Sequence, residues 1–201
     1  MRTSLIRSVA LGSTLALSSF ALAGCALLPG GSDSDNDMGM MHGDDMMNSQ
    51  SDGSSFSGAD IMFAQMMIPH HQQAVDMGTL AETRAQSPEV KALAAKIKSE
   101  QAPEIEQMKG WLTSANASMD MGHEMGMGGM LTDAEMTALT NASGAEFDHL
   151  YLVDMIAHHK GAIHMAQMVV DSNNAEAQAL GKAIIASQTE QISYMESLLA
   201  Q

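Results

Sequence analysis

The chain has 201 residues, a formal net charge of −15 at pH 7, 21 methionines and one cysteine. Its acidity excludes a nucleic-acid partner, because binding to phosphates needs a basic face. The single cysteine excludes an intramolecular disulfide and a site built from several thiolates. A soft metal ion would therefore have to be held by methionine or histidine.

Residues 1–24 have the pattern of a secretory signal peptide. Arg2 and Arg7 precede a short apolar stretch, and small residues lie just before Cys25. The stretch is shorter than the roughly 20 residues that a membrane-spanning helix needs. The residues around Cys25 resemble a bacterial lipobox, which implies acylation of this cysteine. We therefore expect an extracytoplasmic lipoprotein anchored to the bacterial cell membrane.

Residues 25–55 are rich in Met, Gly and Asp and contain almost no large branched side chain. Such a segment cannot bury enough apolar surface to order itself, so it is predicted to be a disordered tether. Residues 56–201 are then expected to form the folded domain.

Four helical patterns follow, and they are arranged as two hairpins. The hairpins cover residues 57–113 and 143–200, and a Met-rich crossover, 114–142, connects them. A short helix is predicted within the crossover, after Thr132. Each long pattern begins at an N-cap or capping-box signal. These signals are Ser57, Ser87 before Pro88, Ser143 with Glu146, and Asn173-Asn174.

The two hairpins are copies of one unit. Met67-Ile-Pro-His-His-Gln-Gln-Ala-Val-Asp-Met77 aligns without gaps to Met155-Ile-Ala-His-His-Lys-Gly-Ala-Ile-His-Met165, and the apolar positions of the helices that follow also correspond. One hairpin cannot bury its apolar stripe alone. The sequence therefore predicts an all-α protein in which two antiparallel hairpins pack as a four-helix bundle.

A histidine pair lies within each repeated segment. At 100° per residue, His70 and His158 fall in the middle of the apolar stripes, whereas His71 and His159 fall at their edges. Methionines lie on the same stripes, and imidazole with thioether ligands favours copper, above all Cu(I). The remaining candidate ligands in the helices are Met66, Met67, Met77, Met155 and Met165.

The crossover contains a second concentration of soft ligands. Its Met-x-Met and Met-Gly-His-Glu-Met spacings would bring several thioethers within reach of one ion in a flexible chain. The candidate ligands in this segment are Met119, Met121, His123, Met125, Met127 and Met130.

Three stretches carry a family resemblance. These are Met-Ile-x-His-His in both halves, Ser-Gly-Ala-Glu-Phe-Asp-His-Leu-Tyr-Leu before the second copy, and Gln-x-x-Glu-Ile-x-x-Met in the second helix. They resemble the DUF305 family over about residues 57–199. The resemblance implies a ferritin-like four-helix bundle, usually exported, with members linked to copper binding and copper resistance. The positions that match the family motif are Met67, His70, His71, Met155, His158 and His159.

These features predict a copper-binding protein that is not an enzyme. It would bind Cu(I), with Ag(I) as a mimic, for buffering, tolerance or delivery, and a copper exporter or oxidase would be a suitable partner. Self-association into a homo-oligomer stays open. Two alternatives also stay open: a metal oxidase acting on Cu(I) or Fe(II), and a structural or partner-binding bundle whose histidines only fill the core. Glu146-Phe-Asp-His149 has the spacing of a di-iron ligand motif, but the first hairpin has no counterpart.

Overall fold

The computed structural model describes residues 55–120 and 128–201. Within these residues the chain forms five helices and no strand. The predicted all-α class is therefore confirmed. The helices are α1 (Gly58–Arg84), α2 (Pro88–Ser114), α3 (Asp133–Asn141), α4 (Ala145–Ala166) and α5 (Ala175–Leu199).

Three of the four long helices begin at the predicted caps. The Ser57 hydroxyl accepts a hydrogen bond from the Asp60 amide, and the Asp60 carboxylate accepts one from the Ser57 amide, which completes a capping box. Ser87 and Asn174 accept bonds from first-turn amides of α2 and α5. These side chains satisfy amides that have no partner inside the helix.

The start of α4 differs from the prediction. The capping box expected at Ser143 is not formed, because Gly144 is the N-cap residue and no side chain caps the helix. Gly144 has φ +67° and its amide donates to the Arg84 carbonyl at 2.8 Å. This contact with the end of α1 requires a backbone conformation that glycine adopts easily. The helix ends at Ala166.

The packing confirms the two-hairpin arrangement. α1 lies along α2, α4 lies along α5, and the hairpins meet mainly where α1 packs against α4. The predicted short helix in the crossover is α3, which contacts both α1 and α4. In the described part of the chain no helix is long and apolar enough to cross a membrane.

The core consists of two apolar clusters. The Tyr151 cluster combines the second half of α1 with the first halves of α2 and α4 and with Met195 of α5. The Trp111 cluster combines the first halves of α1 and α5 with the second halves of α2 and α4. Between the two clusters every long helix contributes buried polar side chains. The bundle is therefore divided by a polar layer at its middle.

Candidate metal centre

The polar layer repeats the internal duplication of the chain. Eight side chains form it, two from each long helix, and we call it the histidine layer. Seven of them are buried, and the Glu104 side chain is 21% exposed. Each residue of the first hairpin has an equivalent in the second. The equivalent pairs are His70 with His158, His71 with His159, Gln101 with Gln188, and Glu104 with Gln191.

The inner histidines lie face to face at the contact between α1 and α4. The ring centroids of His70 and His158 are 3.8 Å apart, with the ring planes tilted by 38°. Both rings are fully buried, and none of their four nitrogens makes a hydrogen bond of ordinary geometry. The Gly128 backbone beside His70 and the His70 backbone beside His158 only partly offset the lowering of the two pKa values. A buried polar group without a partner costs about 1–3 kcal/mol. A neutral imidazole has one lone pair, so a metal ion bound by both rings would satisfy one nitrogen of each and remove part of that cost. The two residues therefore fit a ligand role.

Burial also fixes the protonation state of these rings. It lowers the pKa of His70 to about 3, and the neighbouring His71 lowers it further. Burial together with His70 lowers the pKa of His158 well below its ordinary value. Burial likewise lowers the pKa of His159 to about 4, despite its bond to Gln191. The three imidazoles are neutral at pH 7, which is the form that binds metal ions.

The outer histidines are more buried than the sequence predicted. His71 and His159 were expected at the edge of the stripe, but both are fully buried. That expectation was wrong because α2 and α5 pack over them. His71 Nε2 lies 2.8 Å from Glu104 Oε2, and His159 Nε2 lies 2.5 Å from Gln191 Oε1. The Nδ1 atoms of both rings are buried without a partner.

Sequence reasoning missed the residues that hold the outer histidines. Glu104 and Gln191 occupy equivalent positions of the two second helices, and Gln191 donates in turn to Glu100 at 2.6 Å. The available signal was their register. Each lies three residues after a glutamine, Gln101 or Gln188, that interrupts the apolar stripe of its helix. Polar residues at matching positions in two copies of a buried stripe indicate a shared polar layer.

The helical methionines lie on both sides of the histidine layer. Met66, Met67 and Met165 belong to the Trp111 cluster. Met77 and Met155 belong to the Tyr151 cluster. The buried pair Met108 and Met195, also at equivalent positions, was not among the predicted ligands. The structure therefore places the thioethers above and below the imidazoles and does not gather them into one set.

The crossover is attached close to the layer where it returns to the bundle. The Gln73 side chain exchanges two hydrogen bonds with the Leu131 backbone, at 3.0 and 2.7 Å. Gly129 packs against Gly161, where a Cβ on Gly161 would lie 1.8 Å from the Gly128 carbonyl oxygen. Gln73 and Gly161 each follow an inner histidine by three residues. The end of the crossover thus passes one turn from His70 and His158.

The structure describes two of the six predicted crossover ligands. Met119 is 49% exposed and Met130 is half-buried. The predicted lipidation site, Cys25, lies outside the described residues, and so do the other four crossover ligands. Those four are Met121, His123, Met125 and Met127.

The donor types restrict which ion the layer could take. In the ranges 55–120 and 128–201, no three His, Cys, Asp or Glu side chains are arranged to hold a metal ion. Hard ions and structural zinc depend on such sets. Glu146 and His149 are exposed, which argues against a di-iron site in the core. The buried donors at the layer are neutral imidazoles, with thioethers above and below them, and donors of these types suit Cu(I) and Ag(I).

The fold and the duplicated histidine motif define a class of helical bundle with a pseudo-two-fold histidine layer. The family model described as "Domain of unknown function (DUF305)" matches residues 60–199. The chain therefore belongs to the DUF305 family, as its sequence motifs predicted. No curated protein shows significant sequence similarity to it.

Solved structures include similar proteins. A DUF305 protein from Streptomyces coelicolor, inferred to be secreted, is 35% identical with a TM-score of 0.67, covering 74% of this chain and 93% of its own. A DUF305 fragment from Deinococcus radiodurans is 28% identical with a TM-score of 0.66, covering 73% and 98%. CopM in its Cu(I)-bound form is 33% identical with a TM-score of 0.60, covering 69% and 94%. CopM also has Cu(II)-bound, Ag-bound and apo structures.

Proposed function

We propose that this protein binds copper, preferentially as Cu(I), in the histidine layer. The observation that carries the proposal is the pair His70 and His158, whose rings touch at 3.8 Å between centroids with four buried, unpartnered nitrogens. Two neutral imidazoles in contact can each offer one lone pair to an ion. The copper- and silver-bound structures of CopM, a similar protein, support the same ion class.

The surroundings favour the monovalent ion. The inner rings lie in a layer between two apolar clusters that contain thioethers. A +1 ion loses less hydration free energy on burial than a +2 ion. Thioether sulfur is a soft donor that prefers Cu(I). We assign Met67 and Met155 the leading roles among the thioethers, because each precedes an outer histidine by one helical turn and is fully buried. Met66, Met77 and Met165 complete the proposed set on the helices.

The proposed role is buffering, tolerance or delivery, without catalysis. A histidine layer closed between two apolar clusters would hold an ion away from water and oxygen. The Met-rich crossover, from Met119 to Met130, is proposed on its composition to capture ions before they reach the bundle. Given an excess of Cu(I) or Fe(II), an oxidase would continue to consume oxygen with turnover. Oxygen uptake that stops at one equivalent of metal per protein would therefore support the binding role.

We also propose that the protein acts outside the cytoplasm. Cys25 would carry the lipid anchor, and residues 25–55 would tether the bundle to the cell membrane. The similarity to the Streptomyces protein inferred to be secreted supports export. Incorporation of a labelled fatty acid into the wild-type chain, and its loss in Cys25→Ser, tests the anchor.

Competition with a chromophoric Cu(I) chelator tests the bundle site. The double variant His70→Ala/His158→Ala should lose Cu(I) affinity at least 100-fold, because it removes both inner ligands. The control is His149→Ala/His164→Ala, which removes two exposed histidines and should bind as the wild type does. Equal affinities of the two double variants would overturn the assignment of the layer.

A further inference from the structure

The two halves of the histidine layer differ in one equivalent pair. Glu104 contacts His71, whereas Gln191 contacts His159. Since a carboxylate only accepts hydrogen bonds, Nε2 of His71 donates to Glu104, and the buried Nδ1 has no hydrogen-bond partner. The Gln191 amide nitrogen donates to Glu100, so its oxygen faces His159 and again selects the Nε2–H form. Both outer rings therefore present Nδ1 to the interior.

The charge behind each ring is different. Glu104 lies 2.8 Å from His71, and in the described residues no Lys or Arg lies within 4 Å of its carboxylate. Behind His159 stands a neutral amide. Gln191 donates in turn to a carboxylate, Glu100, but that carboxylate is paired with Lys96 at 2.6 Å. The α1 half of the layer thus keeps a negative charge in contact with its outer imidazole, and the α4 half does not.

The position of Glu104 supports a role toward an incoming cation. It lines a groove of about 670 Å³ between α2 and α5, together with Glu100 and Glu176. Its side chain is 21% exposed, while the His71 side chain directly behind it is fully buried. Within the residues that the structure describes, Glu104 is therefore the carboxylate that both lines the groove and contacts an imidazole of the layer. A carboxylate bonded to a ligand histidine raises the basicity of that ligand.

Building on the proposed copper function, we infer that Glu104 is a positioning residue that gives the His71 half of the layer a preference for the divalent ion, while the Gln191 half favours the monovalent ion. The attraction between a carboxylate and a metal ion scales with the charge of the ion. Its presence on one side only makes the two outer histidines inequivalent ligands. The chain can then hold copper in either oxidation state, with Cu(II) nearer His71 and Cu(I) nearer His159.

Glu104→Gln tests this inference, because it reproduces the Gln191 arrangement in the first half. We expect Cu(II) affinity to fall about 10-fold or more, the range seen when a partner of a ligand histidine is removed, and Cu(I) affinity to fall much less. The reduction potential of bound copper should rise by about 59 mV for each tenfold change in the ratio of the two affinities. Glu106→Gln is the control, since it removes the same charge from an exposed residue of α2 paired with Lys109.

A second variant tests the other half and serves if Glu104→Gln does not fold. Gln191→Glu combined with Glu100→Gln exchanges the two side chains and keeps the net charge. We expect higher Cu(II) affinity, a lower reduction potential, and a shift of the Cu(II) electron paramagnetic resonance signal that the Glu106→Gln protein lacks.

The outcomes separate the two proposals. A wild-type protein that binds neither ion would contradict the copper function itself. A wild-type protein that binds both ions, with Glu104→Gln indistinguishable from Glu106→Gln in affinity ratio and potential, would overturn the role of Glu104 alone. An unchanged reduction potential of bound copper in the Gln191→Glu/Glu100→Gln variant would also overturn the role of Glu104.

Discussion

The two hairpins of the bundle have the same plan but differ at the rim of the histidine layer. The inner histidines, the outer histidines and the buried glutamines Gln101 and Gln188 recur in both copies. Around them the copies differ: Gln191 is the equivalent of Glu104, and Gly161 is the equivalent of Gln73. Six of the eight side chains of the layer are the same in both copies, and the difference within the layer is Glu104 in one copy and Gln191 in the other. The shared residues indicate that both halves contribute equally to the centre, whereas its surroundings are specialised.

The largest expected effect concerns the histidines that both halves share. The unfolded chain protonates its histidines near pH 6.5, but folded His70 and His159 take up protons only near pH 3 and pH 4, and His158 also well below 6.5. Unfolding therefore takes up protons, and stability is lost as pH falls below 6.5. Three such groups give a slope of about 4 kcal/mol per pH unit between pH 6 and 5 in the metal-free protein.

Urea unfolding at several pH values measures this slope and compares the halves. His70→Gln and His158→Gln should each reduce it by about 1.4 kcal/mol per pH unit, because each removes one neutral buried base. The exposed control His149→Gln should leave it unchanged. Clearly different pH slopes for His70→Gln and His158→Gln would show that the two halves are not equivalent at the centre.

The next prediction concerns the position where the first copy has Gln73 and the second has Gly161. Gly161→Ala would place a methyl group 1.8 Å from the Gly128 carbonyl oxygen, so the backbone of the crossover must move. We expect a loss of about 1–3 kcal/mol in thermal or urea unfolding. The matched control is Gly110→Ala on α2, where nothing lies within 4 Å and the better helix former should be neutral or slightly stabilising. Equal stabilities of the two variants would exclude the close contact.

A smaller effect concerns how one hairpin caps the other. The Asp148 carboxylate at the start of α4 accepts hydrogen bonds from the Gln86 and Ser87 amides, at 3.0 and 2.8 Å, in the turn between α1 and α2. Both second helices have their own caps, Ser87 and Asn174, and the turn before α2 has the bonds to Asp148 in addition. Asp148→Asn should cost about 1 kcal/mol of unfolding free energy, since it weakens two charge-assisted bonds. Glu146→Gln, on the same turn and exposed, should cost less than half of that.

Much of this architecture could be predicted from residue patterns. The gap-free repeat around His70 and His158 and the caps at Ser57, Ser87 and Asn174 predicted the two hairpins and the all-α bundle, which the structure confirms. These features are local, or they repeat at a fixed spacing. The start of α4 could not be predicted, because Gly144 takes its conformation from a bond to Arg84 in the other hairpin.

The site was predicted less completely for the same reason. A helical wheel gives the direction of a side chain on one helix, and so it placed His71 and His159 at an edge. Their burial depends on how closely α2 and α5 pack over them. The packing identifies Glu104 and Gln191 as the partners of the outer histidines, and their matching positions in the two copies were the one signal of this in the sequence. The antiparallel register between α1 and α4 likewise decides which methionines lie on the same side of the layer. The pattern of one helix does not give this register.

The central claim is that copper binds between His70 and His158. Crystals of the protein grown with Cu(I) or Ag(I), with the ions located by anomalous scattering, test it most directly. We expect a strong anomalous peak within bonding distance of a ring nitrogen of each inner histidine, with at least one buried thioether nearby. Peaks confined to exposed methionines such as Met119, with the His70–His158 contact unchanged, would contradict it.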